Sequence, residues 1–266
     1  QPAEEGGAGG KAMLEDGLFE NFPVDEIYAL HNWPGISVGS FGFKSGAIMA
    51  SSNQFEITIH GKGGHAAMPH LCIDPVVIAS HLIQSFQVIS SRIVDPIEPA
   101  VISVTKIEVG ETANIISDTC KLLGTVRTFS FETLNQVETK MRDICESLPK
   151  IFGGRGFLDF QRQYPPTINH IDQYETAINV AEELVGKENV NRKVRPSMGA
   201  EDFSYMLQKC PGCYFFLGNG TTYDKNADNK NALGPCMLHN SQYDFNDKLI
   251  ALGAKFWVSL INKRLG

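Results

Sequence analysis

The stretch Gln54-Phe55-Glu56-Ile57-Thr58-Ile59-His60 sets apolar side chains at every second position, which is the period of a half-buried strand. A glycine-rich loop at 61–64 follows and carries His65. Asp74-Pro75 then opens a helix, with Asp as N-cap and Pro at the first helical position. Val77, Ile78, His81, Leu82, Phe86 and Ile89 recur at helical spacing as far as Arg92. Residues 100–109 and 121–128 read as β-branched strands joined by a loop containing Asn114, and 132–148 as a helix with Leu134, Val137, Met141, Ile144 and Leu148 on one face. A last strand, 157–164, ends before Pro165-Pro166. Strand, helix, strand, strand, helix, strand is the order of a ferredoxin-like unit, with two helices on one face of a four-stranded antiparallel sheet.

Such a unit, residues 54–164, folds as its own α+β domain, and the flanks 1–53 and 165–266 become two parts of an α/β domain into which it is inserted. The first flank reads as a helix over 10–20 ended near Gly17 and a strand over 26–30 delivering His31 to its end. The second reads as a helix over 174–186, a strand over 192–195, a helix from Ala200, a strand ending at Leu217 and a helix over 246–263. The length of 266 residues accommodates two domains.

A net charge of -7 argues against nucleic acid or an anionic membrane as partner, since both call for clustered Lys and Arg. No apolar run approaches the roughly 18 residues of a bilayer span. Six scattered cysteines, Cys72, Cys120, Cys145, Cys210, Cys213 and Cys236, do not resemble a secreted disulfide framework, which points to a reducing cytoplasm. Cys210-Pro211-Gly212-Cys213 has redox or zinc-ribbon spacing, but it lies between a helix and a strand and reads as a Pro-Gly turn. The chain starts at Gln1 inside a motif, as a fragment would.

That motif is Pro2-Ala3-Glu4-Glu5-Gly6. Adjacent carboxylates can divide two tasks of metal-assisted hydrolysis, one fixing a divalent ion and the other deprotonating a water. Taken alone, the pair is as well explained as a charged helix start. His31, before Asn32-Trp33-Pro34-Gly35, and His239, in a loop before the last helix, would join Glu5 in the mixed oxygen and nitrogen set that suits zinc, manganese or cobalt. His60, His81 and His170 read as structural, His70 could line the site of His65, and Glu201 and Asp202 read as acidic residues that favour a helix N-terminus, with a role in orienting a metal ligand as the alternative.

Together, Gln1-Pro2-Ala3-Glu4-Glu5-Gly6, Leu30-His31, Gly61-Lys62-Gly63-Gly64-His65-Ala66-Ala67, Met198-Gly199-Ala200-Glu201-Asp202-Phe203 and Leu238-His239-Asn240 resemble the M20 metallopeptidases. Within that family they resemble the amidohydrolase branch of hippurate, N-acyl-amino-acid and auxin-conjugate hydrolases. The resemblance runs along the whole chain in order. It implies a metal-dependent catalytic domain, here partial, with an inserted ferredoxin-like satellite domain that forms a homodimer. It implies two divalent ions per subunit, Zn, Mn or Co, and a small N-acyl amino acid as substrate.

By position, the resemblance makes Glu4 the proton shuttle, and Glu5, His31 and His239 metal ligands. His65 becomes the histidine that stabilises the oxyanion, and Asn114 and Arg127 become substrate-binding residues. The family's upstream Cys-Gly-His-Asp-Gly-His segment, which supplies further ligands, is not in this chain, so the chain alone is expected to be inactive. Two other readings stay open: a non-catalytic dimerising homologue, and a dipeptidase or aminoacylase of another M20 branch.

Overall fold

The structure, a computed structural model, describes residues 1–221 and 237–266, and Cys236 lies outside them. In chain order the elements are α1 (Gly9–Glu15), α2 (Leu18–Asn21), β1 (Ile27–Pro34), β2 (Phe41–Gly42), β3 (Gly46–Met49), β4 (Ser52–His60), β5 (Gly64–His65) and α3 (Pro75–Val88). Then come β6 (Ala100–Glu108), β7 (Ile115–Ile116), β8 (Thr119–Thr128), α4 (Phe131–Ile151), β9 (Arg155–Tyr164), β10 (Thr167–Asn169) and α5 (Ile171–Val185). The last are β11 (Val190–Asn191), α6 (Phe203–Leu207), β12 (Gly212–Gly220) and α7 (Lys248–Leu265). They fall into two compact units, one of 1–48, 167–197 and 201–266, the other of 49–166 and 198–200.

In the second unit the strands run in the order β6-β8-β4-β9, all antiparallel. The alternation that marked β4 is realised as burial, for Phe55, Ile57 and Ile59 point into the core. There they meet Ile78, Leu82 and Phe86 of α3 and Leu134, Val137 and Met141 of α4. Both helices are capped from the sequence, with Asp74 accepting the Val76 N–H at 2.8 Å and Ser130 the Thr133 N–H at 3.1 Å. Gly124 is required here, because a Cβ would stand 2.1 Å from the Ser103 carbonyl oxygen and 2.4 Å from the Phe55 ring. β5 and β7 form a separate short ladder that pairs His65 with Ile115.

The first unit carries the sheet β1-β12-β2-β11, in which β12 is buried along its whole length. Phe41, Phe43, Phe215 and Phe256 stack into an aromatic core covered by α5 and α7. Three sequence expectations are corrected. His31 does not end its strand: β1 pairs in parallel with β12 from Ile27 to Pro34, and this tertiary pairing carries the strand through the Asn-Trp-Pro signal until Gly35 turns at φ 94°. The strand expected at 192–195 is the two-residue β11, paired to β2. The helix expected from Ala200 begins at Phe203, with Asp202 at its N-cap position, and Glu201 and Asp202 are buried at 5% and 0% exposure.

Cys210 and Cys213 are buried free thiols, and burial pushes both thiol pKa values up; it pushes the Cys145 thiol up to about 12. No helix among the described residues is long and apolar enough to cross a membrane.

Candidate active site

Glu4 and Glu5 sit in the turn ahead of α1, bracketed by two alanines in the left-handed region, Ala3 at φ 53° and Ala8 at φ 47°. Non-glycine residues adopt that conformation at a cost, so the surroundings hold the turn in place. Gly9 is obligatory here, because a Cβ would lie 1.6 Å from the Pro2 carbonyl oxygen. Glu5 projects to the surface, and Glu4 is half-buried.

Glu5, His31 and His239 line one cleft of about 390 Å³, together with Leu238, Asn240 and Tyr243. Three segments far apart in sequence thus deliver their side chains to one place in the first unit. His239 sits at φ 66° and brings its Nε2 to 3.7 Å from Glu5 Oε2. His31 Nδ1 lies 2.6 Å from the Asn32 carbonyl oxygen. A carbonyl can only accept, so Nδ1 carries the proton and Nε2 is left with the lone pair. This is how ligating histidines are oriented, with one ring nitrogen donating to a carbonyl and the other facing the metal.

Among the described residues no three His, Cys, Asp or Glu side chains stand close enough together to hold an ion. Glu5 Oε2 and His239 Nε2 are close enough to share one divalent ion, since two atoms bound at about 2.0–2.2 Å are at most about 4.4 Å apart, and His31 lines the same cleft.

Glu4 is strongly perturbed. Burial, then the negative charges of Glu201, Glu5 and Asp202, push its pKa up to about 7, against which the backbone N–H of Asp202 donates to its carboxylate. Glu201 itself is raised, chiefly by burial, while hydrogen bonds from Tyr214 Oη at 2.8 Å and the Phe203 N–H at 3.2 Å act to lower it. Sequence reading treated Glu201 and Asp202 as dipole partners and passed over Tyr214. The apolar run around Tyr214 conceals one hydroxyl that points at a buried carboxylate.

The segment that follows His239 is tied to β1 and β12. Asn32 Nδ2 donates to the Tyr243 hydroxyl, and Asn219 at the end of β12 donates to the Asp244 carbonyl at 3.0 Å and accepts the Asn246 N–H at 2.9 Å. No spacing signal marks these asparagines in the sequence.

His65, Asn114 and Arg127 belong to the second unit. His65 is exposed, and its Nδ1 accepts the Ala67 N–H at 3.1 Å, so the neutral ring carries its proton on Nε2, directed outward. The Asn114 carbonyl accepts the Ala66 N–H at 3.0 Å, which ties the Asn114 loop to the His65 turn. Arg127 is half-buried on β8, and burial lowers its pKa. His70 lies in a short 3-10 turn just beyond.

Residues 1–263 match the family described as peptidase family M20/M25/M40. The chain belongs to that family. The hippurate hydrolase of Campylobacter jejuni is 38% identical to this M20 chain over 265 residues, covering 100% of the chain and 66% of the relative. The N-acetyl-L-cysteine deacetylase of Bacillus subtilis is 38% identical over 84% of the chain and 53% of the relative. The structure of the Bacillus subtilis YXEP protein, described as a dinuclear metal binding peptidase of the M20 family, superposes with a TM-score of 0.79 at 27% identity, covering 98% of the chain and 62% of that protein. The M20 chain therefore spans between about half and two thirds of the length of these relatives.

Proposed function

We propose that the protein containing this chain hydrolyses the amide bond of small N-acyl amino acids with the help of divalent metal. The observation that carries the reading is the meeting of Glu5, His31 and His239 in one cleft, with Glu4 beside Glu5 in sequence and held near neutrality. The names of the relatives, hippurate hydrolase and N-acetyl-L-cysteine deacetylase, support an N-acyl amino acid as substrate.

Glu5, His31 and His239 would hold the metal, two ions of Zn, Mn or Co when the further ligands of the whole protein are present. When bound, such ions lower the pKa of a coordinated water and polarise a carbonyl. Glu4 accepts the proton of the attacking water and returns it to the departing amine nitrogen, for which a pKa near the working pH is suited. His65 donates its Nε2–H to the oxygen that becomes negative in the tetrahedral intermediate, and Asn114 and Arg127 bind the substrate.

The first unit supplies the hydrolytic groups and the second supplies substrate contacts and a homodimer surface. β6 is an edge strand with Ile107 exposed, which favours strand pairing. Free, buried thiols agree with a reducing cytoplasm. The chain alone, with three donors in its cleft, is expected to hold metal weakly and to turn over little.

The test measures metal content and hydrolysis of N-benzoyl and N-acetyl amino acids by the full-length protein and by this chain. Glu4→Gln should keep the metal and lose about 10²–10⁴ in kcat. A full-length protein that binds no divalent ion, or a Glu4→Gln variant with undiminished turnover, would refute the assignment.

A further inference from the structure

Asp202 is fully buried, and its side chain reaches a partner 192 residues away in sequence. Its Oδ2 accepts the Gly10 N–H at 2.6 Å, while its own backbone N–H donates to the Glu4 carboxylate. One residue thus grips the Glu4 turn at two points, at the carboxylate itself and six residues on, where the turn enters α1. The approach is close: a Cβ on Gly10 would lie 2.9 Å from the Asp202 carbonyl oxygen and 3.1 Å from its carboxyl carbon. Between these two points the chain passes through Ala8 in the left-handed region, with Ala3 likewise just ahead of Glu4, a path that L residues do not keep unaided. Asp202 Oδ1 has no partner among the described residues, so this buried carboxylate is kept at a cost of desolvation that its structural contacts only half offset.

We propose that Asp202 is the positioning residue of the site, fixing the Glu4 carboxylate in its productive orientation through the Gly10 N–H and its own backbone N–H. The inference rests on the reading of Glu4 as the group that moves the proton, and Asp202 acts through Glu4 without touching substrate. What the role needs is an acceptor for Gly10 at this place. Asparagine can supply that acceptor, and alanine cannot. Misplacement of a catalytic group by about 1 Å costs on the order of 100-fold in rate.

The first measurement is amide hydrogen exchange of Gly10 in this chain. Protection should fall at least about tenfold in Asp202→Ala and persist in Asp202→Asn. The second is steady-state hydrolysis of N-benzoylglycine, or of whichever N-acyl amino acid is cleaved, by the full-length protein. Asp202→Ala should lose about 10–100-fold in kcat with KM within about threefold, and Asp202→Asn should retain at least about a third of wild-type kcat.

Unchanged Gly10 protection in folded Asp202→Ala overturns the proposal, as does a loss confined to KM or an Asp202→Asn variant as impaired as Asp202→Ala. Should Asp202→Ala not fold, Asp202→Glu, which moves the acceptor by one methylene, carries the same expectation, and wild-type kcat there overturns it. Glu4→Gln separates the two layers. If Glu4→Gln turns over normally, the role of Glu4 fails and that of Asp202 with it; if Glu4→Gln is inactive while Asp202→Ala keeps its kcat, the positioning role alone falls.

Discussion

Replacing Tyr214 by Phe removes one oxygen from a side chain that is 2% exposed and takes away the 2.8 Å hydrogen bond to Glu201 Oε2. Glu201 keeps the Phe203 N–H on its other oxygen, so the variant leaves half of a buried carboxylate without a donor. A hydrogen bond to a charged group contributes about 1.5–3 kcal/mol net, and for a folded unit of this size that amounts to a Tm lower by roughly 4–10 °C where Glu201 is ionised.

The loss depends on pH, and its sign follows from the direction of the Glu201 shift. Its folded pKa lies above the unfolded value because burial disfavours the charge. Glu201 therefore contributes stability that is fully present below the unfolded carboxyl pKa of about 4.3 and is lost as pH rises through the folded value. Removing the Tyr214 donor raises the folded value further, so the deficit of the variant relative to wild type should grow as pH rises and shrink as pH falls.

Tryptophan emission is the assay of choice, because both tryptophans, Trp33 and Trp257, lie in the first unit and report its unfolding alone. A Tm within about 1 °C of wild type at every pH, or a loss that does not grow as pH rises, refutes the account of a buried Glu201 held by Tyr214.

If the full-length protein hydrolyses amides through Glu4, kcat/KM should fall on the acid side through an apparent pKa of at most about 7, since any cation held by Glu5 pulls the adjacent carboxyl down; a limb above pH 8, or none, would remove Glu4 from the role. Gly124→Ala should cost about 3 kcal/mol or more, read as a lower urea midpoint of the second unit by far-UV circular dichroism, because the new Cβ meets the Ser103 carbonyl at 2.1 Å. Ser130→Ala should cost about 1 kcal/mol in the same assay through loss of the α4 N-cap, and an unchanged midpoint would mean that water replaces the cap.

The second unit was the more legible part of the chain because its signals are local. β4 alternates, α3 and α4 bear their own caps, and each apolar face finds the partner that its period implies. The first unit is ordered by pairings distant in sequence. β1 continues past Leu30 because β12, nearly two hundred residues later, offers it a parallel edge, and no window around His31 contains that information. The site divides in the same way. Glu4, Glu5, His31 and His239 were legible as residue types in motifs, and Glu5, His31 and His239 share a cleft in the fold. Glu201 and Asp202 stood in a motif, but their roles, like that of Tyr214, were not legible, since these come from burial and from partners on other elements.

The two histidines show how the backbone assigns chemistry that sequence leaves open. His31 carries the same side chain as His65, and nothing in their sequence neighbours specifies a tautomer. In β1 the ring of His31 folds onto the carbonyl of the next residue, an acceptor, and the lone pair is thereby left on Nε2. In the tight turn after β5 the ring of His65 meets the N–H of the residue two further on, a donor, and the proton is thereby left on Nε2. The first arrangement suits a metal ligand and the second a hydrogen-bond donor. Exchanging the local backbone would exchange the roles. Ala67→Pro, which deletes the donating N–H while leaving His65 in place, should free the ring to adopt either tautomer. The ¹⁵N shifts of His65 should then move from a single protonated-Nε2 pattern toward an average of the two, and an unchanged pattern would mean that something other than the Ala67 N–H selects it.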